Sequence, residues 1–377
     1  MIDLGSNGLT GIVPTEISSL SRLTQLHLDS NTFTAIETGI GSLPALTILD
    51  LSDTALTSMP TSIGNLSGSL QELYLSDNSL SSLPSEIGTL TTLSRLYLDG
   101  NQLTSLPTSI GSLASLDILD IASNSLTTLP TQIGSLTDLD ILYVSNNSLS
   151  SIPSELNQLT SLDILDLSHN SLTVLPTNIL QTMTNLDNLD ISYNNLTGLS
   201  QNLAPLTTLS TFNLEHNQLT GTLPSSIGNL SALIDLDVSD NNLTSLPTTL
   251  SGRSSITFLD ASYNNLTTLP SSLGSIKTMQ QLYLDSNELT GGRDILLQMT
   301  GLKYLYLTDN HLLGMIPDEV TGLSLLSGFY FANNYLDRLN TNNAFIQPSL
   351  ESRFSRGGFS RQRGNQSDIT PPVLSGT

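Results

Sequence analysis

Aspartate, isoleucine and tyrosine recur in this chain at fixed intervals, and the intervals decide what chemistry they can offer. Asp117, Asp140, Asp163 and Asp187 stand 23 or 24 residues apart, and Ile118, Ile141 and Ile164 directly follow the first three. Two positions beyond each isoleucine come Asp120, Tyr143 and Asp166, with Asp190 in the same place one interval later. If successive copies lie side by side at the ~4.8 Å spacing of paired strands, the carboxylates form a ladder. Neighbouring carboxylates repel by about 1 kcal/mol in water, and less with added salt. A ladder beside apolar and aromatic contacts has the makings of a recognition face for a basic partner. Duplication of near-identical repeats would also produce such columns with no ligand involved.

Catalysis is poorly served. The chain has no Cys, which removes thiolate nucleophiles, disulfides and thiolate metal sites. His169 and His216 share a column but sit two intervals apart, roughly 10 Å, too far to share a metal directly. They read as solvated surface histidines. The sequence has no G-x-S-x-G, no phosphate-cradling glycine loop and no H-E-x-x-H. It therefore predicts no enzyme, no metal and no cofactor.

Two further polar patterns are ambiguous. A Thr/Ser column runs through Thr10, Thr34, Thr57, Ser81, Thr104, Thr127, Ser150 and onward to Thr290. A flat ladder of hydroxyls can order water, so ice binding is a remote alternative to local hydrogen bonding within the turns. Asn-x-Ser/Thr sequons at Asn65, Asn146, Asn195, Asn229, Asn242, Asn265 and Asn365 permit a secreted location without requiring it.

Placing these columns in register requires an element repeated at their period. The unit is clearest at Leu96–Leu116, LYLDGNQLTSLPTSIGSLASL. Leu96 and Leu98 alternate with Tyr97 and Asp99, the pattern of a short strand with one buried face. Asn101 and Leu103 turn the chain, Leu106-Pro107 ends the regular part, and Ile110, Leu113 and Leu116 suit a loose helical turn. The asparagine recurs as Asn7, Asn31, Asn78, Asn101, Asn124, Asn147, Asn170, Asn194, Asn217, Asn241, Asn264, Asn287, Asn310 and Asn334, with Thr54 replacing it once. Inside the turn its amide can satisfy backbone groups left unpaired by a curved sheet. Such a unit cannot bury its own apolar side and must stack on its neighbours as a solenoid.

The pattern L-x-x-L-x-L-x-x-N-x-L-x-x-L-P-x-x-I-G-x-L, repeated over roughly residues 1–340, strongly resembles the leucine-rich repeat family. The resemblance implies an α/β repeat solenoid, a horseshoe with a continuous parallel sheet of about fifteen strands on the concave face and short helical or irregular turns on the convex face. Most units look like the intracellular signalling-type members. Leu9-Thr10-Gly11 with Pro14, Leu219-Thr220-Gly221 with Pro224, and Leu312-Leu313-Gly314 with Pro317 resemble extracellular plant-type repeats instead. One unit lacks its proline at Leu199-Ser200, and Thr290 to Leu297 predicts a true short helix.

The expected organisation is a repeat array over 1–334 that starts mid-repeat, a C-terminal cap over 335–350, and a disordered basic tail over 351–377. Phe329, Phe331, Tyr335, Leu339 and Phe345 would close the last core layer. Net charge is −22, and the residues beyond Asn334 carry more arginines than acids. So acidic an array repels nucleic acid and anionic membrane, and favours cationic partners or none, although acidity also keeps a Leu-rich surface soluble. No apolar run reaches the ~18 residues of a membrane span. Met1 does not open a signal peptide, which slightly favours the cytoplasm as the chain stands; a missing upstream segment would favour secretion.

These features predict non-enzymatic binding of a protein or peptide, with a basic one favoured by the charge, on the concave face formed by Asp117, Ile118, Asp120, Asp140, Ile141, Tyr143, Asp163, Ile164, Asp166, Asp187 and Asp190. An intracellular scaffold or sensor and a fragment of an extracellular receptor-like ectodomain both remain open, and the oligomeric state is not indicated.

Overall fold

A computed structural model describes residues 1–177, 179–199, 202–251, 255–314, 320 and 322–336. Ser200, Pro317, Leu339, Phe345 and the expected basic tail lie outside the described residues, as does the expected cap apart from Tyr335 and Leu336. Fifteen short strands, one per repeat and most of them three residues long, pair in sequence order into a single parallel sheet. Each strand places one apolar side chain inward between two that face the inner surface. In Ile118–Asp120, for example, Leu119 is fully buried while Ile118 and Asp120 are half-buried. Leucines above and below continue the column, so the core is one unbroken cluster from Val13 to Phe331. Each side chain buried this way is worth about 1.5–3 kcal/mol.

The asparagine ladder forms as the sequence predicts. Asn101 Nδ2 donates to the carbonyls of Leu75 (2.9 Å), Leu98 (3.0 Å) and Asp99 (3.3 Å), and its Oδ1 accepts the Leu80 N–H (3.0 Å). One side chain thus ties its own turn to the repeat before it. The pattern recurs along the array, for example at Asn194 and Asn287. At the exception, the Thr54 hydroxyl bonds the Leu51 carbonyl (3.0 Å) and Asn78 Oδ1 (2.6 Å), replacing part of the missing amide.

On the convex side the L-P-x-x-I-G units make short 3-10 helices such as Thr108–Ser112, each entered from an extended proline. Their I-G dipeptide has a packing cause. A Cβ on Gly111 would lie 2.4 Å from the Gln132 carbonyl of the next unit, and Gly88 and Gly134 face the same obstruction. The predicted short helix is present as α1, Arg293–Leu296. The L-T-G units do something the sequence did not reveal. Thr10–Val13, Thr220–Gly221 and Leu313–Gly314 each pair with the following repeat in a small second parallel sheet. Gly11 (φ 90°), Gly221 (φ 71°) and Gly314 (φ 78°) supply the left-handed residue in each.

Candidate ligand-binding face

Four consecutive strands carry the residues singled out from the sequence, and the structure brings them together. Ile118, Ile141, Ile164 and Asn188 are register partners, as are Asp120, Tyr143, Asp166 and Asp190. One residue upstream of each strand, Asp117, Asp140, Asp163 and Asp187 form an exposed row. Their backbones are linked, with the Asp140 N–H on the Asp117 carbonyl (2.9 Å), Asp163 on Asp140 (2.8 Å) and Asp187 on Asp163 (2.9 Å). The isoleucines, expected to stand open to solvent, are half-buried within their row.

The electrostatics follow from this crowding. Partial desolvation, then the neighbouring carboxylates, push Asp117 and Asp163 upward, while Arg95 pulls Asp117 back. Asp120 is more enclosed, and burial raises its carboxyl to about 6 even though its Oδ1 accepts the Ala122 N–H at 3.0 Å.

Sequence reasoning underused the C-terminal half of the same face. Tyr283, Tyr306 and Tyr330 stack face to face at 4.4 Å between successive rings, and Phe258 tilts against Tyr283 at 5.4 Å. Tyr304 stands beside them with 38 % of its surface exposed. Its room comes from Gly328 on the next strand, where a Cβ would approach Tyr304 Cδ1 to 2.7 Å and Tyr330 Cε2 to 2.9 Å. Asp260 and Asp285 border this aromatic row, each raised to about 6 chiefly by burial. Tyrosine at one position of three consecutive repeats was the signal in the sequence. Near the other end, Tyr74 stacks on Tyr97 at 5.0 Å, and the Tyr74 hydroxyl donates to Glu72 (2.6 Å), which also holds Arg95 (2.8 Å).

The two histidines stand at the exposed surface, as the sequence predicts, but each has neighbours. The residue before the ladder position takes a left-handed φ in repeat after repeat, including His169, Tyr193 and His216. Its N–H is held by the next repeat, as in His169 to the Ser192 carbonyl (3.0 Å), which fixes a conformation that Asn, Asp and His tolerate best. In this column Tyr193 lies between the two histidines, 4.2 Å from His169 and 4.5 Å from His216. His216 Nδ1 meets Asp240 Oδ2 at 2.5 Å, and the Tyr193 hydroxyl reaches Glu215 at 3.2 Å. These side chains are exposed and also partnered. Among the described residues, His27, Asp29 and Asp50 are grouped closely enough to hold a metal ion.

An uninterrupted sheet that presents apolar, aromatic and acidic columns on its inner side defines a repeat-built binding scaffold. The chain belongs to the leucine-rich repeat family. Family models described as leucine-rich repeat region, leucine rich repeat and Leucine Rich Repeat match residues 37–127 and 95–213, 207–266, and 301–323 respectively. A leucine-rich repeat protein of Leptospira interrogans is similar over 94 % of this chain and 94 % of its own, at 30 % identity and a TM-score of 0.80. PEPR1 in its complex with AtPEP1 is 31 % identical over 89 % of this chain and 48 % of its own, with a TM-score of 0.77. The plant peptide hormone receptor RGFR1, solved with RGF2, is 30 % identical over 87 % of this chain and 62 % of its own, with a TM-score of 0.72. The chain thus spans about half to two thirds of the PEPR1 and RGFR1 chains. No curated protein sequence matches it. Among the described residues, no helix is long and apolar enough to cross a membrane.

Proposed function

We propose that the chain is a non-enzymatic binder of an extended, basic protein segment or peptide, held on the inner face across the sixth to ninth repeats. The observation that carries this reading is the register of two columns on adjacent strands. Ile118, Ile141 and Ile164 offer continuous apolar contact, while Asp117, Asp140, Asp163 and Asp187 supply a row of negative charge beside it. The charge steers a cationic partner and the apolar row retains it. The solved complexes of PEPR1 and RGFR1 with their peptides support a peptide-sized ligand. Across the sixth to ninth repeats the described residues form a ribbon of side chains on a sheet, a surface suited to binding an extended partner.

A receptor-like ectodomain is the second reading. It is favoured by the L-T-G units and by their resemblance to the plant-type repeats. The Thr34, Thr220 and Thr244 hydroxyls point to backbone carbonyls of the preceding repeat, at 3.2, 3.4 and 3.2 Å. Engaged hydroxyls at these three positions favour a structural role there over ice binding.

The test is binding of a fluorescently labelled peptide of alternating lysine and leucine, followed by anisotropy at several salt concentrations. Replacing Asp117, Asp140, Asp163 and Asp187 together by Asn should weaken binding and flatten its salt dependence. Replacing Glu16, Glu37, Glu86 and Glu155 by Gln changes the charge equally on the 3-10 helical side and should leave binding nearly unchanged. Equal losses in the two variants would mean that the attraction is global and the face is wrong.

A further inference from the structure

We propose that His27, Asp29 and Asp50 form a binding site for a divalent metal ion of the zinc class, near the N-terminal end of the inner face. Asp50 is the register partner of His27 on the adjacent strand. Asp29 lies two residues beyond His27, so the strand's period of two puts both on the same side. One nitrogen and two carboxylate oxygens from these residues all lie within 4.8 Å of one another. Ligands on a common tetrahedral zinc ion at ~2.0–2.2 Å stand ~3.4 Å apart, so the set must draw together by about 1.4 Å at most to bind one.

The two aspartate residues are anchored. Asp50 Oδ1 accepts the Ser52 N–H at 3.0 Å, which leaves Oδ2 facing His27 Nδ1 at 3.7 Å, too far for a hydrogen bond between them. The Asp29 carbonyl accepts the Ser6 N–H (2.9 Å) and Asn31 Nδ2 (3.0 Å), so the asparagine ladder anchors the backbone beneath this ligand. Its carboxylate lies over Gly5, where a Cβ would come within 2.6 and 2.9 Å of the two oxygens. The glycine gives the carboxylate its room.

The imidazole nitrogen sets this group apart from the other acidic rows of the chain. Calcium and magnesium prefer oxygen-only sets, whereas one imidazole with two carboxylates suits zinc, cobalt or manganese. All three residues are half-buried, and the remaining coordination positions open onto the inner surface, where water or a group from a bound partner can occupy them.

The experiment uses the whole chain freed of metal with a chelator and dialysed. Titration with Zn²⁺ by calorimetry should give one saturable site, and Co²⁺ should give the visible absorption of a nitrogen- and oxygen-ligated ion. His27→Gln and Asp50→Asn should abolish both signals while circular dichroism stays unchanged. Gly5→Ala removes no donor but displaces Asp29, and should weaken Zn²⁺ by ~10-fold, the usual effect of disturbing a ligand's support. His169→Gln should bind as the parent does. Absence of a saturable Zn²⁺ isotherm, equal binding by the His27→Gln and His169→Gln variants, or equally tight Ca²⁺ binding that survives His27→Gln would each overturn the site.

Discussion

Asp260 should weaken the fold at neutral pH, and replacing it by Asn should stabilise the chain there but not in acid. Burial raises its carboxyl from the ordinary 3.8 to about 6, with Asp237 and Glu215 acting in the same direction and bonds from Ser262 opposing them. The folded chain therefore holds more protons than the unfolded chain between pH ~4 and ~6. The associated stability is complete below pH ~4 and lost above pH ~6. A shift of two units at about 1.4 kcal/mol each sets a ceiling of ~3 kcal/mol, and solvent screening of this partly exposed group reduces it to ~1 kcal/mol. Asn preserves the acceptor that takes the Ser262 N–H at 2.8 Å, so only the charge is removed. Calorimetric melting of Asp260→Asn should show a gain of about 1–2 °C at pH 7 and none at pH 4. Asp120→Asn and Asp285→Asn should behave alike, since both carboxyls are raised to about 6 for the same reason. An equal gain at both pH values, or a loss at pH 7, would refute desolvation as the cause.

Two further outcomes test the framework. Asn124→Leu removes donors from the carbonyls of Leu98, Ile121 and Ala122 and an acceptor from the Leu103 N–H, so it should cost ~1–3 kcal/mol for each group left buried without a partner. Urea unfolding should show a much smaller change for the exposed control Gln102→Ala. Gly111→Ala must push the Gln132 carbonyl away from 2.4 Å and should lower stability by ~1–3 kcal/mol, whereas Ala at Gly198, with nothing nearby, should be almost neutral by the same measurement.

The framework could be read in the sequence because it is written many times over. A leucine column, an asparagine and an I-G dipeptide recurring at 23 or 24 residues leave only one way for neighbours to stack, and the fifteen-stranded sheet follows. Features that occur only a few times were harder to read. The L-T-G-type units stand out in the sequence, but that Thr10–Val13, Thr220–Gly221 and Leu313–Gly314 each found a second small sheet depends on pairing with the following repeat, which the local pattern does not show. His169 and His216 were judged by their separation from each other, when the residue that mattered was Tyr193 between them. The metal-binding candidate was missed for a related reason. Its ligands come from one strand and its neighbour with spacings of two and 23 residues, which no linear motif search recognises.

The inner face obeys a different logic from the core beneath it. A core position is constrained by the repeats on both sides, so a substitution there disturbs three units, while an inner-face position needs only to tolerate the side chain on the next strand. That freedom lets the Ile/Asp rows of the middle repeats give way to a stacked tyrosine row nearer the C-terminus with the backbone register unchanged. It is not unlimited, as Gly328 shows. Tyr304 and Tyr330 take the space that a Cβ there would fill, so large side chains on neighbouring strands are accommodated by a small one between them. Gly5 beneath Asp29 shows the same arrangement at the other end of the sheet. Where a repeat carries glycine at an inner-face position that its neighbours fill, the missing Cβ makes room for a larger side chain on an adjacent strand. In this chain those side chains are an exposed tyrosine, Tyr304, and the carboxylate of Asp29.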